Sequence, residues 1–119
     1  MTAGGLPAQR QWDIVKVRIN PDDRDEHPAV IVSPDELCAD EKKTRLNVLY
    51  GTTRRPGQGI QPFEVVLNGA DGLERPTVLN CFYFYGVDRR KIGASIGRVT
   101  SERRRKIGRT IVASYRFPL

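Results

Sequence analysis

Four segments of the chain carry side chains able to do chemistry. The first is Thr52-Thr53-Arg54-Arg55-Pro56-Gly57-Gln58-Gly59, which has no apolar surface to bury. Its proline and glycines predict an exposed loop that sets hydroxyls beside two guanidinium groups. The second is His27, the only histidine. An imidazole titrates near physiological pH, so it can exchange a proton or hydrogen-bond a phosphate; at a strand start it can equally cap or pack. Arg24 lies three residues earlier among Asp22, Asp23, Asp25 and Glu26, which either leave its charge available or hold it in local pairs. The third is Phe82-Tyr83-Phe84-Tyr85. Strand alternation puts Phe82 and Phe84 on one face and Tyr83 and Tyr85 on the other. The tyrosines either stack on unpaired bases, at about 1 to 3 kcal/mol each, or pack into a core or a dimer surface.

The fourth segment is the basic end. The formal charge is +6, yet up to Ile60 nine basic residues are offset by nine acidic ones. From Arg89 to Arg116 ten basic residues face only Glu102. Arginine predominates, and its planar fork suits phosphate. Nucleic acid is therefore the first partner class and an acidic protein segment the second, set against a basic face that only aids solubility. Within this run, Arg103-Arg104-Arg105-Lys106 reads as a helix face in solvent.

These groups need elements to hold them. A length of 119 residues with 39% hydrophobic residues supports one modest core. Met1 to Arg10 reads as a flexible tail and 11–119 as a single domain. No stretch approaches the roughly 18 apolar residues of a membrane span, and the start lacks the features of a signal peptide, so a cytoplasmic protein is expected. Cys38 and Cys81 lack metal-type spacing and read as reduced packing thiols. Trp12 to Ile19 alternates like a half-buried strand, Ala29 to Val32 reads as a central strand, and Leu46 to Tyr50, Phe63 to Leu67 and Val78 to Tyr85 follow. At least five strands are expected. Ser33, Pro34 and Glu36 predict a short capped helix near Pro34 to Ala39. Thr100 and Glu102 begin a last helix whose apolar stripe is Ile107, Ile111, Val112 and Tyr115, with Arg104, Arg105 and Arg109 outward. Strands first and a helix last imply a small, mostly antiparallel barrel closed by that helix.

Several segments, in order, resemble the MazF/PemK toxin family. Trp12-Asp13-Ile14-Val15 stands where the family has Gly-Asp-Ile-Val, and Pro28-Ala29-Val30-Ile31-Val32-Ser33 matches its Pro-Ala-Leu-Val-Val-Ser. Thr52-Thr53-Arg54 is similar to its Thr-Ser-Arg. Gly72-Leu73, Val87-Asp88-Arg89-Arg90-Lys91-Ile92 and Ile96-Gly97-Arg98-Val99-Thr100 complete the match. The resemblance implies a mainly β, SH3-like barrel of the MazF/PemK/CcdB type with a C-terminal helix. It also implies a homodimer that cleaves single-stranded RNA without metal or other cofactor and is neutralised by a cognate antitoxin. The family threonine maps to Thr52, with Thr53 one place on. The family arginine before the Pro-Ala run is His27 here, so His27 is the candidate acid or base and Arg24 the candidate replacement cation. Arg54, Arg55, Lys16, Arg18, Tyr83 and Tyr85 are the candidate RNA contacts. Tyr83 and Tyr85 fall where the family has a Gln-x-Arg stretch. The alternative is a non-catalytic module on the same fold that binds RNA or antitoxin. A gyrase poison like CcdB fits poorly, because the chain ends Arg116-Phe117-Pro118-Leu119 and its single tryptophan is Trp12.

Overall fold

β-branched and aromatic residues alternating with polar ones give six antiparallel strands among the described residues of the computed structural model, 9–53, 57 and 59–118. They are β1 (Asp13–Val17), β2 (His27–Ile31), β3 (Arg45–Thr53), β4 (Glu64–Leu67), β5 (Thr77–Asp88) and β6 (Ser95–Arg98). Two helices accompany them, α1 (Asp35–Ala39) and α2 (Ser101–Tyr115), with single 3-10 turns at Gly69–Asp71 and Arg89–Lys91. The sheet order is β4-β5-β3-β2-β1-β6, and the sheet curls into a half-barrel with the C-terminal helix against it. β6 had no sequence signature as a strand, being four residues long and containing Gly97.

Alternation supplies both faces with apolar residues. Ile14, Val30, Leu49, Leu67 and Leu79 pack with Ile107 of α2. Val15, Val17, Ala29, Ile31, Leu46, Val48 and Val87 pack on the other face with Cys38 of α1 and Ile92. Both cysteines are free and buried. Burial, with a smaller contribution from Glu64, pushes the Cys81 thiol up to about 12, as an apolar surrounding disfavours thiolate.

β4 and β6 are not paired; a side-chain clasp joins the turn after β4 to β6. The buried Asp71 carboxylate accepts the backbone N–H groups of Asn68 and Thr100, each at 3.0 Å. Arg103 brings its Nε to 3.0 Å from Asp71 Oδ2, as an ion pair outside hydrogen-bond alignment, and its Nη2 donates to Asn68 Oδ1. Gly97 allows the approach: a Cβ there would overlap the Asp71 carbonyl. The same end of β6 is also tied to β1 by Arg98, which donates to Asp13 Oδ1 at 2.7 Å.

Some local expectations are corrected. Pro34 is itself the N-cap of α1, without a side-chain cap bond; Ser33 Oγ instead accepts the Asn47 N–H. Thr100 does cap α2, accepting from the Arg103 N–H. Val112 is 73% exposed and leaves the stripe, because Ile107, Ile111 and Tyr115 already span the arc that faces the sheet. Arg104 does not point free into solvent; its Nε donates to the Val99 carbonyl at 2.8 Å.

Candidate active site

β2 and β3 pair with Ala29 opposite Tyr50, Val30 opposite Leu49 and Ile31 opposite Val48. The paired stretch ends at Ala29 and Tyr50; continuing its register two places brings His27 level with Thr52. Gly51 lets the strands stay close at this end, since a Cβ there would lie 3.1 Å from the Pro28 carbonyl oxygen and 2.7 Å from Thr77 Cγ2. Residues two apart on a strand share a face, so Tyr50 and Thr52 stand on the side of His27 and Ala29. Thr52 is exposed and His27 half-buried.

Around the imidazole the loop between β1 and β2 brings in a carboxylate. Asp23 Oδ2 lies 3.8 Å from His27 Nε2 and accepts the Tyr50 hydroxyl at 3.2 Å. The His27 and Tyr50 rings are 5.1 Å apart, tilted by 45°, and Tyr85 lies 6.0 Å beyond Tyr50. Burial first, and then the Asp23 charge and hydrogen bond, push the Tyr50 phenol up to about 12, so it remains a donor at neutral pH. This face thus combines a hydroxyl, an imidazole, a carboxylate and a fixed phenol donor.

Arg24 is exposed and takes part in none of the ion pairs among the described residues. Its acidic neighbours do not tie it down, Asp23 being engaged by Tyr50. Its carbonyl accepts from the Arg18 guanidinium at 3.1 Å, so both arginines belong to the loop bordering His27.

Other expected residues lie elsewhere. Thr53 points away from Thr52 and lines a cleft of about 570 Å³ with Lys16, Pro28, Leu73, Arg75 and Thr77. Tyr83 lies 5.0 Å from the Phe82 ring and lines a groove beside the end of α2 with Pro62 and Ser114. The two tyrosines of one strand face therefore meet different surroundings. The cause is Asn80, whose Oδ1 accepts the N–H groups of Phe82 and Tyr83 and bends β5 away from its ladder. Phe82 and Phe84 do share a side, both against Tyr115. Arg54 and Arg55 lie outside the described residues.

Two members of the cluster were not among the sequence candidates. Tyr50 was legible in principle, standing two places before Thr52. Asp23 was read only as a rival for Arg24, and loop spacing gives no direction for its carboxylate.

Many residues that carried the family resemblance turn out to be structural. Asp13 and Arg98 bind each other, Asp88 accepts the Arg90 N–H to cap its turn, and Arg89 donates to the carbonyls of Cys38, Asp40 and Lys43.

The comparisons with known proteins agree. Residues 10–115 match the PemK-like, MazF-like toxin family of type II toxin-antitoxin systems, and the chain belongs to that family. No curated protein sequence matches it. Among solved structures, it is similar to an endoribonuclease in complex with its cognate antitoxin from a mycobacterial species, at 17% identity and TM-score 0.72, over 96% of this chain and 99% of that one. It is also similar to the Mycobacterium tuberculosis toxin MazF-mt6, at 18% identity and TM-score 0.72, over 90% and 99% of the two chains. A MazE-MazF structure from Deinococcus radiodurans follows at 16% identity and TM-score 0.70, over 92% and 97%. At these identities the likeness shows the fold.

Proposed function

We propose that this chain is a toxin endoribonuclease that cuts single-stranded RNA without metal, with Thr52 and His27 flanking the scissile phosphodiester. The observation that supports the reading is the contact of His27 with Tyr50 across β2 and β3, with Thr52 two places beyond Tyr50 on the same side of β3. Membership of a family of MazF-type toxin endoribonucleases supports it.

In this reading the RNA supplies its own nucleophile. His27 takes the 2′-hydroxyl proton, the 2′-oxygen bonds to phosphorus, and the bond from phosphorus to the 5′-oxygen breaks. The leaving oxygen takes a proton from water, and His27 returns its own to solvent. The products are a 2′,3′-cyclic phosphate and a 5′-hydroxyl. Thr52 donates a hydrogen bond to a phosphate oxygen, and Arg24, with Arg18, Arg54 and Arg55, meets its charge. Tyr85 offers a ring for a neighbouring base.

A cognate antitoxin would neutralise the chain, as the relatives solved with an antitoxin suggest, and we infer a homodimer acting in the cytoplasm. No helix among the described residues is long and apolar enough to cross a membrane.

The test is a gel of mixed-sequence RNA incubated with protein in EDTA. Wild type is expected to cut, and Thr52→Ala and His27→Ala each to slow cutting by at least about tenfold. Loss of cutting on adding EDTA, or full activity in both variants, would refute the assignment. A second reading has one observation in its favour: a histidine stands at the arginine position and tyrosines at the Gln-x-Arg positions. A module that only binds would give salt-sensitive RNA binding and no products after long incubation.

A further inference from the structure

The contact between His27 and the loop before it extends the chemistry of the site. We propose that Asp23, braced by the Tyr50 hydroxyl, is the positioning residue of His27: it orients the imidazole and stabilises the positive charge the ring acquires when it takes the 2′-hydroxyl proton. This rests on the reading of His27 as the proton-transfer group.

Three independent pieces of chain build the arrangement. The loop after β1 turns at Asn20, whose carbonyl accepts the Asp23 N–H at 2.9 Å and whose Oδ1 accepts the Asp22 N–H at 3.0 Å. This turn directs Asp23 back over β2 and β3. A single oxygen, Asp23 Oδ2, then faces both the Tyr50 hydroxyl at 3.2 Å and His27 Nε2 at 3.8 Å. The side chains of His27 and Asp23 are 33% and 30% exposed, which lets substrate reach the ring while limiting the water around the pair.

At 3.8 Å the neutral ring is in contact with the carboxylate without a hydrogen bond. Once protonated, it has a charged partner already in place. A carboxylate behind a catalytic histidine acts in this way in other hydrolases, by orientation and by stabilising imidazolium. The other charged groups of the loop, Asp22, Arg24, Asp25 and Glu26, are exposed, and none forms an ion pair with Asp23 or His27 among the described residues. Arg18 is engaged at the Arg24 carbonyl. From β3 and β5 the facing titratable groups are Tyr50 and Tyr85.

The experiment compares the full chain with Asp23→Asn, Tyr50→Phe, Asp25→Asn and His27→Ala in steady-state RNA cleavage. Asp23→Asn is expected to lower kcat at least about tenfold with KM within about twofold, and Tyr50→Phe to lower it severalfold. Asp25→Asn removes the same charge two residues away and is expected to leave both constants unchanged. Because the chain has one histidine, the ring's NMR relaxation can be read without assignment. It should report an ordered imidazole in the wild type and a mobile one in Asp23→Asn. Unchanged kcat in Asp23→Asn, when His27→Ala abolishes cutting, overturns the proposal and spares the nuclease reading. Unchanged ring order in Asp23→Asn overturns it even if the protein binds RNA without cutting. Full cutting by His27→Ala removes both.

Discussion

Trp12 shows how one residue can record the demands of a backbone. Its φ of 76° lies in the left-handed region, where a bulky side chain is strained and glycine is at ease. The turn has to take this shape, because the Trp12 N–H donates to the Ile31 carbonyl at 2.7 Å and its own carbonyl accepts the Val99 N–H at 3.0 Å. A glycine here would carry no such strain; the indole compensates by packing on the core. Replacing Trp12 separates the two effects. Trp12→Gly is expected to be more stable than Trp12→Ala by about 1 kcal/mol in urea denaturation, the reverse of the usual order at a negative φ. Equal stabilities would show that the backbone relaxes once the indole is gone.

Among elements, the junction of the turn after β4 with β6 is the most exacting. A sheet whose edges do not pair leaves polar groups to satisfy, and the clasp assigns them to one buried carboxylate. Asp71→Ala would strand the Asn68 and Thr100 N–H groups and remove the ion-pair partner of Arg103 Nε. A loss of about 3 kcal/mol is expected in chemical denaturation, since removing one side of a buried network leaves the rest unpaired. A change below about 1 kcal/mol would mean that water or rearrangement replaces the carboxylate. α2 depends on the same clasp, as its first turn supplies Thr100 and Arg103.

Over the whole molecule, the excess positive charge divides into two populations. Arg89, Arg98, Arg103 and Arg104 bind carbonyls or buried carboxylates and hold the fold. Arg105, Lys106 and Arg109 are exposed on α2, which covers one face of the sheet, whereas Thr52 and His27 share the opposite one. Changing these three to glutamine together is therefore expected to keep the RNA cleavage rate within about threefold at moderate salt. An at least tenfold loss would place α2 in the RNA path. In the proposed reading the charge near the scissile phosphate comes from the loop carrying Arg18 and Arg24, so a double glutamine variant there should flatten the dependence of binding on salt.

The linear sequence sufficed for the periodic parts: five of the strands, the last helix with its Thr100 cap, the buried cysteines and the family. These follow from alternation, helical spacing and short motifs, all local along the chain. It also determined that Thr52 and His27 were the residues to watch. The remainder depends on register and direction, which folding alone fixes. Strand alternation separated Thr52 from Thr53 and put Thr52 on the side of Tyr50 and His27, and a bend at Asn80 parted Tyr83 from Tyr85. The same holds for the turn that carries Asp23 to the imidazole and for the arginines spent on backbone carbonyls. Composition counts charges, but a contact between residues distant in the chain exists only once folding has fixed which strands are neighbours and where each loop turns.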